Sequence, residues 1–394
     1  MSARFAALRT GRRRHPSEGN VDVLFAVLLL SELLAYVFIS WDLPVLGEYY
    51  SATSRDLTLV SLGIAILTLY VWRSIALSAV GTRGRRLSGG DYVGIVLSQP
   101  FVWFVVVVNY LATLTFGYAS VSYEAPPRFA FLISVIPLEP LLLARMAYRR
   151  RAEYGLLAAY AMLGLIRGLT GHLLVMFLAL VLLARRRQAF LLVGVVLLVA
   201  PLGFEVLDAL RAYFRGGDEL TGSLGARIAS RLAMTPIIDY VINNVESVVL
   251  CNGGSMVAWY HEIVFSVVPK SLFGVVDTTT IHKCLAIVAS GDPETEMTFS
   301  TTLPVKLLLV WAMGNAAGIL YGISIVVFLV FTRRLSSRLL GPGAFLFFAP
   351  VTYAFFLSGV TRDIVTPFYF LALLMAETWV IRAIQAVSLR LQRA

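Results

Sequence analysis

The sequence predicts an all-α polytopic membrane protein of about ten transmembrane helices with one large, partly helical extracytoplasmic loop. Three observations predict it. The 394 residues are 58% hydrophobic and only 14% charged, where an ordinary soluble chain is about a quarter charged; mean hydropathy is +0.80. Apolar runs of roughly 20 residues, long enough to cross hydrocarbon about 30 Å thick, recur along the chain. Short basic clusters separate those runs, as in cytoplasmic loops. The net charge of +10 therefore speaks for membrane topology and not for nucleic acid.

The basic clusters order the elements. They run from Arg4 to Arg14, Arg73 to Arg86, Arg145 to Arg151, Arg185 to Arg187, Arg333 to Arg338 and Arg382 to Arg393, and hold two thirds of the Lys and Arg residues. Spans are predicted at 22–40, 57–79, 92–118, 129–144, 154–166, 170–184, 188–204, 305–331, 340–359 and 364–384. Ten spans place both termini and every cluster on the cytoplasmic side. The first run follows a basic stretch, as in a signal peptide. It ends in "YVFISWDLP" with no small-residue cleavage pattern, which predicts an uncleaved anchor. The chain thus divides into an N-terminal transmembrane bundle (1–204), an extracytoplasmic loop (205–303) and C-terminal transmembrane helices (304–394).

Residues 153–184 carry the most informative feature. "LGLIRGLTGHLLVMFLAL" (163–180) places Arg167 inside an apolar run, and such charges are costly in hydrocarbon. Arginine triplets at 149–151 and 185–187 flank the run. One long helix would send one triplet outside; two short helices keep both inside. Each short helix is then about 21 Å long at 1.5 Å per residue, less than the hydrocarbon thickness. The turn "RGLTG", with Gly168 and Gly171, must therefore lie below the outer surface and line a cavity. Arg167 would form the floor of an outward-facing pocket. The competing reading is an arginine snorkelling from a helix end.

Acidic residues outnumber basic ones in 205–303, the one long segment without a basic-inside signature. "TPIIDYVINNVESVVL" (235–250) and "MVAWYHEIVFSVVPKSLF" (256–273) have apolar residues at helical spacing and predict amphipathic helices on the membrane surface or roofing a cavity. Cys251 and Cys284, the chain's two cysteines, both fall in this loop. An oxidising face predicts their disulfide; two buried thiols are the alternative.

There is no GxxxxGK[ST] loop, HExxH, CxxC or GxSxG, and His15, His172, His261 and His282 lack metal spacing. The sequence therefore predicts neither cofactor nor metal, and any energy must come from the substrate. The polar residues that resist a structural reading gather on the outer side. They are Arg211, Arg215, Arg227, Arg231, Asp239, His261, Glu262 and Lys270 from the loop, with Arg167, Arg362 and Asp363 from span ends. Arginines around an outer cavity suit a phosphorylated ligand, whose oxygens they grip in pairs; a solvated salt bridge is the alternative for each. Glu139 in "IPLEPLL" reads as lining a kink or pairing with another span, and Glu32 and Glu377 as structural.

This order of features resembles the bacterial O-antigen or capsule repeat-unit polymerases (Wzy-type). The resemblance rests on "IRGLTGHLLVMFLALVLLARRR" (166–187), the arginine-bearing loop, "VVPKSLFG" (267–274) and "GNAAGILYG" (314–322). The RX₁₀G signature fits once, at Arg211 with Gly222. It covers roughly residues 150–370 in layout. The resemblance implies a GT-C-like, metal-independent glycosyltransferase in the bacterial inner membrane, its active site facing the periplasm. Its substrate would be an undecaprenyl-diphosphate-linked oligosaccharide, its candidate partner a chain-length regulator protein. Arg167, Arg231, Lys270 and Arg362 would hold the diphosphate, and Asp239, His261 or Glu262 would act as base. O-antigen ligases share this architecture, and a lipid-linked oligosaccharide transporter is the non-enzymatic alternative.

Overall fold

The computed structural model describes residues 16–40, 55–80, 94–116, 136–167, 170–196, 198–199, 233–251, 281–292, 301–359 and 362–391. Among these, regular structure is helical: α1 (Pro16–Ser40), α2 (Arg55–Val80), α3 (Gln99–Phe116), α4 (Leu138–Arg149), α5 (Tyr154–Ile166), α6 (Thr170–Leu183), α7 (Thr235–Cys251), α8 (Ile281–Ser290), α9 (Leu303–Met313), α10 (Asn315–Leu340), α11 (Ala344–Ser358) and α12 (Arg362–Leu391). A 3-10 turn at Gly341–Gly343 joins α10 to α11, and residues 186–196 are also helical. Among the described residues, four stretches can cross a membrane by length and composition: Glu18–Ser40, Asp56–Val80, Gly318–Ser358 and Asp363–Ser388. The chain is an all-α membrane protein.

The axis of the bundle is α11. Its sequence, AFLFFAPVTYAFFLS, is apolar all round and buried nearly throughout, as a helix surrounded by others must be. It packs against α2, α4, α6, α9, α10 and α12. Trp72 of α2 donates its ring N–H to the Ala349 carbonyl at 3.1 Å and stacks edge-on against Tyr353. Polar contacts lock the basic end. Arg73 pairs with Asp22 at 2.6 Å, Asn20 donates to the Val181 and Ala184 carbonyls, and Glu377 accepts from the Val96 N–H. The backbone of Ala147 leaves no room for a side chain at Gly343.

Several predicted boundaries shift. The run 153–184 is two helices, α5 and α6, with Arg167 closing α5 in right-handed helical geometry. These bounds match the predicted spans to within a residue; Gly171, read as a turn residue, lies within α6, and residues 168–169 lie outside the described residues. The span predicted at 129–144 is, within the described residues, a helix running on to Arg149. Arg145 is therefore not solvated in a loop: it is 2% exposed, pairs with Glu153 at 2.7 Å and donates to the Leu97 carbonyl. The continuous span predicted at 305–331 is broken at Gly314. There α9 folds back along α10, setting Lys306 5.7 Å from the ring centre of Tyr321 and Gly318 against Trp311.

The segment 235–250 is helical as predicted, but its first half is inserted into the bundle and only its second half keeps an exposed face. Thr235 through Val241 are buried, wedged against α1, α2 and α9. Glu32 of α1 holds this end. Its two carboxylate oxygens accept from the Met234 N–H (2.7 Å), the Thr235 N–H (2.9 Å) and the Thr235 hydroxyl (2.7 Å). A negative charge there answers both the unpaired N–H groups and the dipole of α7. Further on, α7 kinks at Asn244, where the Asn243 and Asn244 side chains take the Asp239 and Tyr240 carbonyls, competing with the backbone ladder. The second predicted loop helix, 256–273, lies outside the described residues.

At the other end of α7, Cys251 is disulfide-bonded to Cys284 of α8, Cα to Cα 5.7 Å. Closing a loop of this length restricts the unfolded chain by about 3–4 kcal/mol. Mass spectrometry of unreduced protein should find the Cys251–Cys284 peptide pair; two freely alkylated thiols would contradict it. For the capped end, Glu32→Gln puts an amide donor against three donors. It should lower unfolding stability by about 2–3 kcal/mol, read as a lower melting temperature in detergent, while Glu32→Asp loses less.

Candidate functional site

Helix ends converge on one level of the bundle. At 1.5 Å per residue, Glu32 lies about 18 Å beyond Asn20 on α1, and Ser61 the same distance from Arg73 on α2. Arg167 is about 20 Å from the start of α5, and Ser358 about 21 Å from the start of α11. Descending from Asp363, α12 reaches Glu377 and the basic end after about 21 Å. The starts of α7, α9 and α12 and the ends of α5 and α11 therefore share a depth about 20 Å above the basic end, whereas α10 reaches about 39 Å.

On one side of this level, Arg167 is half-buried and crosses from α5 to α3. Its Nε donates to Thr113 Oγ1 at 2.9 Å, and its Nη2 donates to the side-chain oxygen (3.0 Å) and carbonyl (3.2 Å) of Asn109. These bonds orient the guanidinium plane. Tyr110 and Tyr160 lie within its electrostatic reach. Tyr160 in turn donates to Glu139 at 2.9 Å, so Glu139 pairs α4 with α5.

On another side, Asp239 is fully buried and accepts from Ser61 of α2 at 3.2 Å. It belongs to α7, which is not a spanning helix. Burial raises its carboxyl from 3.8 to about 6, because desolvation disfavours the charged form. A group near that value can take a proton at neutral pH. Arg167 and Asp239 thus occupy different helix seams of the same level.

The third group lies around Gly359, which takes a left-handed conformation and is pressed against Thr301. The Thr301 hydroxyl donates to the Ser358 carbonyl at 3.4 Å, and the Ser358 hydroxyl donates to Asp363. One turn into α9, Lys306 is fully buried beside Tyr321. Lys306 is not among the predicted site residues, although a lysine within "TTLPVKLLLV" carries the same signal as Arg167: a charge in an apolar run.

Of the remaining predicted site residues, Arg231, His261, Glu262 and Lys270 lie outside the described residues, as do Arg211, Arg215 and Arg227. Arg362 opens α12, and its side chain is also outside them. Among the described residues, no three His, Cys, Asp or Glu side chains gather as a metal site requires. The chain matches no family model, no curated protein and no solved structure.

The raised pKa of Asp239 has a signed consequence. The folded state keeps this proton up to about pH 6, the unfolded state only to about pH 4, so folding takes up a proton between them. Stability from this group is full below the lower value and lost as pH rises through the upper. Relative to Asp239→Asn, the wild-type protein should melt at a higher temperature near pH 5 than near pH 7.5. The swing should be about 1–2 kcal/mol, followed by thermal unfolding in detergent. Parallel pH profiles for the two would contradict the buried, shifted carboxyl.

Proposed function

We propose that the chain is a repeat-unit polymerase of the bacterial inner membrane. It transfers a growing glycan from undecaprenyl diphosphate to a sugar hydroxyl of a new lipid-linked repeat at the periplasmic face. In this reading ten spans lie in the membrane, α5, α6 and α11 ending short of its far side and α10 serving as the eighth. The basic end is cytoplasmic, both termini lie there, and residues 205–303 face the periplasm. The observation that carries it is the recessed level. Arg167, the inserted end of α7 and the Gly359 turn all stop about 20 Å above the basic end, short of hydrocarbon about 30 Å thick. Such a floor suits a ligand entering from the far side. The Cys251–Cys284 bond supports an oxidising, extracytoplasmic location for the ends of α7 and α8.

The chemistry needs two kinds of help. The acceptor hydroxyl oxygen attacks the anomeric carbon, the bond from that carbon to the diphosphate oxygen breaks, and the diphosphate leaves with the electron pair. Arg167, Arg231, Lys270 and Arg362 stabilise the departing charge. The hydroxyl proton passes to Asp239, His261 or Glu262. Asp239 is the base candidate already desolvated and raised toward neutrality.

Deleting the gene should leave surface lipid capped with a single repeat and no ladder. Loss of the single capped repeat would indicate a ligase instead, and lipid-linked repeats held on the cytoplasmic leaflet a transporter. Arg167→Gln should remove chain growth at normal expression, with a rate loss on the order of a hundredfold; Arg167→Lys should retain part of it. Full ladders from Arg167→Gln would end that assignment. Thr113→Val removes one brace and keeps the charge, so it should retain ladders if Arg167 binds substrate and lose them if it only braces α3.

A further inference from the structure

Two arginine triplets at the basic end have no task inside the fold. Arg149, Arg150 and Arg151 turn the chain from α4 into α5, and Arg185, Arg186 and Arg187 follow α6. All are exposed, and among the described residues none of their side chains has a hydrogen bond or ion pair. At the end of a helix a basic residue can cap carbonyls or answer the dipole, but here other groups do this. Asn20 donates to the Val181 and Ala184 carbonyls that end α6. The Arg150 backbone N–H closes α4 onto the Met146 carbonyl at 2.7 Å. Nearby acids are engaged too, Glu153 with Arg145 and Asp22 with Arg73. Arg150 is left-handed, φ 54°, at a position where glycine or asparagine is usual.

The α5–α6 hairpin brings the triplets to one side. Its helices have 13 and 14 residues, pack against each other and meet near Arg167, so their far ends share one level. The helix that delivers the first triplet, α4, also packs on α6. Exposed apolar side chains border the arginines: Tyr154 opens α5, and Phe190 and Leu191 follow Arg187 by one turn. Basic residues edged by an aromatic ring and aliphatics match the boundary between headgroups and acyl chains. An acidic soluble partner would use the arginines and leave the apolar border in water, whereas a lipid covers both. The tendency of cytoplasmic loops to be basic asks for positive charge, but it does not gather unpaired arginines on one hairpin. We propose that the two triplets bind the headgroup of an anionic phospholipid, with Tyr154, Phe190 and Leu191 against its acyl chains. Each guanidinium grips two phosphate oxygens at once. Two triplets suit a lipid with two phosphates, of the cardiolipin kind, better than one with a single phosphate. The site lies about 20 Å from the level of Arg167 and does not rest on the polymerase reading.

The test titrates delipidated full-length protein in detergent with cardiolipin, phosphatidylglycerol, phosphatidylcholine and, separately, inorganic pyrophosphate. Thermal unfolding and native mass spectrometry report binding. Wild-type protein should bind cardiolipin most tightly and phosphatidylcholine least. Combining Arg150→Gln, Arg151→Gln, Arg186→Gln and Arg187→Gln should weaken cardiolipin binding at least about tenfold. Arg334→Gln with Arg338→Gln removes charge from the end of α10 and should leave that binding unchanged. Equal losses in the two sets would reduce the effect to surface charge and overturn the site. So would equal binding of cardiolipin and phosphatidylcholine by the wild type. Pyrophosphate that stabilises the wild type as cardiolipin does, with the same sensitivity to the four substitutions, would overturn the lipid as ligand. If the fourfold variant fails to insert, Arg186→Gln with Arg187→Gln decides. One triplet then remains, so cardiolipin should lose its advantage over phosphatidylglycerol, and an advantage fully kept would overturn the two-triplet site.

Discussion

The rest of the structure depends on a carboxylate placed where hydrocarbon would otherwise be. Glu32 sits well inside α1 and takes three donors from the start of α7. Without it, the unpaired N–H groups of a helix end would be buried among apolar side chains, at several kcal/mol each in such surroundings. With it, a helix from the segment between the transmembrane regions can be pushed into the bundle. Everything at that depth follows: Asp239 meets Ser61, α7 packs on α9, and α9 is set beside Gly359.

The common depth of these ends is a matter of helix length. The helices α5, α6 and α11 are too short to reach across hydrocarbon, while α10 is more than long enough. Where short helices pack against longer ones, their ends can face protein or water and not lipid. Irregular backbone at membrane depth is tolerated only there. Polar residues then become affordable at this level, and those named above lie within it.

Much of this was legible in the sequence, and the misses share a cause. The α5–α6 pair could be read because two arginine triplets bracket a run too short for two full spans and wrongly signed for one. The disulfide could be read from the chain's two cysteines falling in one segment between apolar runs. The reversal at Gly314 could not, since "LLLVWAMGNAAGILYG" continues apolar through the turn and hydropathy carries no direction. The pairing of Arg145 with Glu153 was hidden because a basic cluster at a helix end looks the same whether its members are solvated or buried. The partners of Glu32 lie 202 positions away, beyond any local pattern, so its carboxylate read as a structural oddity without a destination. Lys306 differed: its signal was present and matched that of Arg167, but no flanking charges drew attention to it.

That separation of 202 positions has a consequence in time. A ribosome adding about 5–20 residues per second needs roughly 10–40 s to make the stretch between Glu32 and Met234. During that interval α1 and α2 must reside in the bilayer with a carboxyl group whose final donors do not yet exist. Insertion of the first helix is thus complete long before its chemistry is satisfied. The nascent hairpin waits in a provisional state that only the arrival of α7 can close.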